Sequence, residues 1–95
     1  MNLIAGSILR LEAGHGDTFL IEVGRVTARG DATGRDTCGG TPWVLLGADC
    51  GPWPFCKDGT VRRTIQARMS HVSGFVRYSV ELWAPPEQAQ AFLAA

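Results

Sequence analysis

The sequence lacks any apolar run of the length that a membrane-spanning helix needs, which is about 20 residues. It also lacks a basic region ahead of its apolar N-terminal stretch, and Arg10 interrupts that stretch, so we expect no signal peptide. These absences predict a cytoplasmic protein that has no membrane partner.

Lysine is almost absent from the chain. Lys57 stands alone beside eight arginines, and basic and acidic residues number nine each, so the net charge is zero. Residues 1–50 hold four basic and six acidic side chains, or −2, and residues 51–95 hold five and three, or +2. A nucleic-acid-binding domain usually carries a basic excess, so this balance argues against nucleic acid as the partner.

Sequence motifs for catalysis are also missing. The chain has no Walker-type phosphate loop, no dinucleotide fingerprint and no cluster of carboxylates. Its 95 residues predict a single domain whose core is small, which leaves little room for a large catalytic cleft. We therefore predict that the protein is not an enzyme.

The three cysteines are open to several interpretations. An odd number without an export signal favours reduced thiols or metal ligands over a disulfide framework, although a local Cys50–Cys56 bridge fits a turn. Five residues separate these two cysteines in the stretch CGPWPFC, whereas a thioredoxin-like redox site has two. A structural zinc site would use Cys38, Cys50, Cys56 and His71, with His15 as the alternative histidine. Otherwise Cys50 and Cys56 are small buried hydrophobic residues at strand ends.

Alternating apolar residues predict a first β-hairpin over residues 3–23. The connection at 14–16 has the length and glycine content of a hairpin loop, and pairing Ala13 with Asp17 places the large apolar residues of both strands on one face. The alternation slips at Gly24, which predicts a bulge. We therefore expect two paired strands, with a bulge or bend at this glycine.

The rest of the chain predicts a loop, a central strand and a second hairpin. Residues 30–42 are rich in glycine and poor in apolar side chains, which indicates a loop, and the apolar run at 43–46 indicates a strand buried on both faces. Residues 60–83 alternate on both sides of a turn at 71–74, which puts His71 on the core side. The outer face of this hairpin should carry Arg62, Gln66, Arg68, Ser70, Arg77, Ser79 and Glu81.

The predicted fold class is α+β and mostly β. We expect a small antiparallel sheet or partly open barrel of about five strands, made of two hairpins and a central strand. The prolines at 85–86 stop the last strand, and residues 87–95 should form a short helix with Ala89, Phe92 and Leu93 on one side. An exposed strand edge would allow a homodimer.

The function that the sequence favours is a non-catalytic protein-binding module. Tryptophan and arginine are enriched at interface hot spots, and prolines stiffen the aromatic loop at 48–59. Such a module is a candidate regulator, or an inhibitor of a host complex made by a phage or another mobile element. The alternatives are the zinc module and a nucleic-acid-binding sheet whose arginines contact phosphates. The candidate partner-binding residues are Trp53, Phe55, Arg62, Arg68 and Arg77.

Overall fold

The computed structural model describes residues 3–48 and 63–94. Within them, six antiparallel strands follow one another around a closed barrel, because β1 pairs with β6 as well as with β2. A nine-residue helix follows the last strand. The predicted α+β, mostly β class is confirmed, with six strands and full closure. The elements are β1 (Ile8–Ala13), β2 (Thr18–Val26), β3 (Ala32–Asp36), β4 (Pro42–Leu46), β5 (Arg63–Met69), β6 (Val76–Ala84) and α1 (Pro86–Ala94).

The first hairpin has the predicted register. Leu11 lies opposite Phe19 and Leu9 opposite Ile21, and the Ala13 N–H donates to the Asp17 carbonyl at 2.9 Å. The β2–β3 pairing shifts between Val23 and Arg25, which confirms the bulge at the intervening glycine. Alternation of large apolar residues was therefore sufficient to define both strands.

The prediction of a loop over residues 30–42 is wrong, because β3 lies inside it. Ala32 and Gly34 face the interior and are buried, while Thr33 and Arg35 are exposed. A Cβ on Gly34 would lie 2.6 Å from the Glu22 carbonyl oxygen, so glycine is required for the close approach of β2 and β3. The strand escaped the sequence pattern because its inward residues are small.

The central strand β4 and the second hairpin follow the expected pattern with three corrections. Trp43 and Leu45 are buried in β4, but Val44 and Leu46 are only partly buried, so the strand is fully covered on one face rather than two. Glu81 is 5% exposed rather than on an exposed face. Glu81 lies opposite Arg10 of β1, and the Arg10 Nη1 is 3.3 Å from the Glu81 Oε1.

The third correction concerns His71, which is exposed rather than partly buried. The strand β5 ends at Met69, so the alternation that placed His71 on the core side does not reach it.

The barrel interior holds the main core. The largest fully buried side chains are those of Trp43, Ile8, Leu9, Leu11, Ile21, Leu45, Val23 and Val80, and all of them except Ile8 belong to the interior cluster. Alternate residues of six strands point inward, so a small barrel is filled by its own side chains.

A second, smaller apolar cluster lies outside the barrel and holds α1. Ala89 of the helix packs with Ile8 and Ala84, and Leu20 packs against them. The Pro85 carbonyl accepts the N–H groups of Gln88 and Ala89, which begins the helix. Ala89 is buried as predicted, but Leu93 is 42% exposed and not on the buried side, while the Phe92 side chain lies outside the described part of the structure. None of the described helices is long and apolar enough to cross a membrane.

Candidate functional site

The six-stranded order places the strand connections at two ends of the barrel. The connections β1–β2, β3–β4 and β5–β6 meet at one end, which we call the tip end. The β2–β3 connection and the junction of β6 with α1 lie at the opposite end, where β4 also ends and β5 begins. Side chains that are far apart in the sequence, such as His15, Cys38 and His71, are thereby brought to the same end.

Three aromatic rings form a layer inside the tip end. The Phe19 and Trp43 ring centroids are 5.0 Å apart, and Tyr78 makes edge contacts with both at 6.1 and 5.8 Å. Such tilted and edge-to-face arrangements are favoured over face-to-face stacking. Burial, and secondarily the negative charge of Asp17, raises the pKa of Tyr78 above its usual value. The turns at this end therefore rest on a packed and uncharged layer.

The β5–β6 turn and the first residue of β6 carry apolar side chains that are partly exposed. Val72 is 42% exposed, Phe75 40% and Val76 48%. Single exposed apolar residues are common on proteins, but three within five positions of one turn form a patch. We call Val72, Phe75 and Val76, with the Arg68 guanidinium beside them, the tip surface.

Arg68 holds this turn in shape. Its Nη1 donates to the Ser70 and Val72 carbonyls at 2.9 Å each and lies 3.3 Å from the Met69 carbonyl. The guanidinium carbon also lies 5.0 Å from the centroid of the Phe75 ring, within the range of a cation–π interaction. Arg68 thus connects both strands of the turn and fixes the ring that the turn exposes.

The turn is also tied to the barrel. The Ser70 N–H donates to the Pro42 carbonyl of β4 at 2.9 Å, and the Val72 N–H donates to the Met69 carbonyl at 3.0 Å. Gly74 has a φ of +87°, a conformation in which glycine is strongly favoured. The tip surface is consequently presented by a turn with a defined backbone.

The described part of the second hairpin is basic. Residues 63–84 include three arginines, Arg63, Arg68 and Arg77, and one acidic residue, Glu81, which pairs with Arg10. Arg77 is exposed on the outer face of β6 and borders an open groove of about 560 Å³ that is shared by β1, β5 and β6. The groove is lined by Glu12, Ala13, Gly14, Thr64, Arg77 and Ser79.

The predicted partner-binding residues have different places in this arrangement. Arg77 is exposed as expected, whereas Arg68 is half-buried and braces the turn. Trp53, Phe55 and Arg62, with the whole aromatic loop beyond residue 48, lie outside the described residues. Sequence reasoning missed Val72, Phe75 and Val76. The signal that could have found the first two is the presence of apolar residues within the turn itself.

The predicted zinc ligands are only partly described. Cys38 is free and exposed, and its backbone N–H donates to Asp36 Oδ1 at 2.7 Å. Within residues 3–48 and 63–94, no three His, Cys, Asp or Glu side chains are grouped so that they could hold a metal ion. Cys50 and Cys56 lie outside the described residues, so the zinc site stays a prediction.

A second open groove lies on the outer surface of β2, β3 and β4. Its volume is about 520 Å³, and its lining includes Glu22, Thr33 and Arg35 together with the backbone of the β2 bulge. The Arg35 guanidinium donates to the Gly40 carbonyl at 3.1 Å and so supports the β3–β4 connection. This groove brings together no set of groups that indicates a reaction.

Comparison with known proteins adds no relative to this description: the chain matches no protein family, no curated protein and no solved structure.

Proposed function

We propose that this protein is a small binding module that docks its tip surface onto another protein. The observation that carries the proposal is the tip surface itself, where three exposed apolar side chains sit on a turn held by Arg68. Contact with a partner would remove this apolar area from water, which is the main favourable term in protein association.

The rigidity of the turn supports the same conclusion. A loop that is ordered before binding loses less conformational entropy when it docks. The Arg68 hydrogen bonds and the Ser70–Pro42 bond supply that order within the chain. Phe75 is then the natural anchor, because large rigid side chains at the centre of an interface contribute most of the binding energy.

A protein that acts by docking alone changes what its partner can contact. We therefore propose a role as a regulator or inhibitor of a larger complex. We place it in the cytoplasm, where the exposed thiol of Cys38 would stay reduced.

Site-specific photo-crosslinking tests the proposal. A photoreactive amino acid is placed at position 75 and, as the matched control, at Leu93, which is equally exposed but lies on α1. We expect a crosslinked protein at position 75 that is absent at position 93. That protein, once identified and purified, should bind the unmodified chain in solution.

The results that contradict the proposal are equally specific. Crosslinks of equal yield at positions 75 and 93 would show contact without a preferred surface. Crosslinks only between two copies of the chain would make the tip a homodimer interface instead.

A further inference from the structure

We infer that the partner meets the tip surface with an acidic segment, in which an apolar side chain packs on Phe75 and a neighbouring carboxylate pairs with Arg77. This inference rests on the proposed function and specifies the chemistry of the partner. It is carried by the charge around the tip surface and by the closure of the barrel.

The first observation is the basic excess of the hairpin. Its described residues, 63–84, include three arginines and one acidic side chain, that of Glu81, which is buried and lies 3.3 Å from Arg10. Two acidic residues on the neighbouring strand and turn lie beside basic side chains. Glu12 Oε1 is 3.5 Å from Arg10 Nη1, which also contacts Glu81, and Asp17 Oδ2 is 3.4 Å from His15 Nδ1. The described hairpin itself keeps three arginines against one glutamate, so a partner carboxylate would meet a net positive charge there.

The second observation is the different state of the two arginines. Arg68 uses Nη1 for the turn carbonyls and its face for Phe75, so its charge stays fixed beside the patch. The Arg77 side chain is exposed, and it has no hydrogen-bond or ion-pair partner among the described residues. Its planar guanidinium can bind a carboxylate through two parallel hydrogen bonds. Arg77 is therefore the group that selects an acidic partner.

The third observation is the closed barrel. Each of the six described strands has a neighbour on both sides, so no described strand edge is open for a partner strand to pair with. Recognition must then use side chains and the open groove beside Arg77, where Thr64 and Ser79 offer hydroxyl groups. A short extended peptide fits such a shallow surface.

Nucleic acid fits the same surface less well. Two of the three exposed apolar side chains, Val72 and Val76, are aliphatic and offer no ring on which a base could stack. The whole chain is electrically neutral, although strong phosphate binding usually needs a basic excess. An acidic peptide matches both the aliphatic groups and the arginines.

Selection of random peptides displayed on phage tests the inference with the full chain as the target. We expect the selected peptides to carry apolar residues flanked by aspartate or glutamate. Synthetic copies should bind in fluorescence anisotropy, and their affinity should fall as salt concentration rises, since salt screens exposed charges.

Two charge reversals supply the matched comparison. Arg77→Glu should weaken the synthetic peptides roughly three- to tenfold, because an exposed attraction becomes a repulsion. Arg29→Glu, at an exposed position in the β2–β3 turn at the opposite end, should leave binding unchanged. Phe75→Ser should weaken binding of the same peptides whether or not Arg77 contributes to it.

The outcomes separate this inference from the proposed function. If selected peptides depend on Phe75 but are neutral or basic, or ignore Arg77→Glu, the acidic partner is wrong and the docking surface remains. If no selected peptide depends on Phe75, the proposed function fails as well. Tighter, Arg77-dependent binding of a labelled single-stranded oligonucleotide would overturn the inference in favour of nucleic acid.

Discussion

The outer wall beside α1 and the tip surface are both apolar, but they differ in what covers them. On the outer wall, Ala89 of the helix packs on Ile8 and Ala84, and these residues are at most 5% exposed. At the tip end, Val72 and Phe75 stay about two-fifths exposed. Within the described residues, one apolar patch is thus covered by the helix, and the other stays partly exposed.

This difference separates folding from binding. A patch that is covered within the chain contributes to the free energy of unfolding, because unfolding exposes it. A patch that stays exposed in the folded chain contributes little to stability and keeps its apolar area available for a partner. Substitutions at the two patches should therefore act on different measured quantities.

The largest expected effect is the loss of a side chain from the covered patch. Ile8→Ala should lower the free energy of unfolding by about 2–5 kcal/mol, because Ile8 is fully buried and its removal leaves a cavity. Val72→Ala, at the tip surface, should cost less than about 1 kcal/mol. Urea unfolding followed by circular dichroism measures both. Equal decreases in the free energy of unfolding would mean that the two patches are buried to the same extent.

A smaller effect is expected when α1 is forced away from the wall. Ala89→Arg should lower the free energy of unfolding by about 1–3 kcal/mol, since Ala89 is 2% exposed and cannot accommodate a charge. It should also increase binding of a fluorescent apolar dye. Ala91→Arg makes the same change at an exposed position of the same helix and is the control. If both variants behave alike, α1 does not cover the wall.

The stability of the β5–β6 turn should depend on Arg68 to a moderate extent. Arg68→Met keeps much of the side-chain length but removes the donors to the Ser70 and Val72 carbonyls, which should cost about 1–2 kcal/mol. Amide hydrogen exchange should accelerate within residues 70–75. Arg77→Met, which removes no hydrogen bond between described residues, should change neither quantity. Unchanged exchange in Arg68→Met would contradict the bracing role.

The alkaline limb of the stability curve tests the layer beneath the tip. Burial raises the pKa of Tyr78 above 10.0, so the unfolded chain releases this proton first as pH increases. The stability linked to Tyr78 is full below pH 10 and declines as pH rises through the higher folded pKa. Unfolding of Tyr78→Phe should depend less on pH in that window. If stability falls equally with pH in the wild type and in Tyr78→Phe, Tyr78 is not the source of the pH dependence.

The sequence predicted those strands whose inward residues are large. In β1 and β2, alternating bulky side chains defined both the strands and their register. The strand β3 was missed because its inward positions, Ala32 and Gly34, are small enough for two strands to approach closely. Hydrophobic periodicity detects strands whose inward side chains are large. It therefore misses a strand such as β3, whose inward residues are small.

The candidate site was harder to predict than the fold. The turn at 71–74 was predicted, but a turn has no periodicity that tells which side chains remain exposed. Glu81 was predicted to be exposed for a related reason, since alternation cannot reveal that Arg10 from another strand would meet it. Both errors concern what lies next to a residue in space, which a single sequence does not encode locally.

The most direct test is the effect of Phe75→Ser on partner affinity and on stability, measured on the same protein. Calorimetry with the purified protein that crosslinking identifies should show binding weakened about 10- to 100-fold by Phe75→Ser. The free energy of unfolding should change by less than about 1 kcal/mol. Leu93→Ser, at a similarly exposed apolar residue, should leave both unchanged. Full affinity in Phe75→Ser would contradict docking through the tip surface.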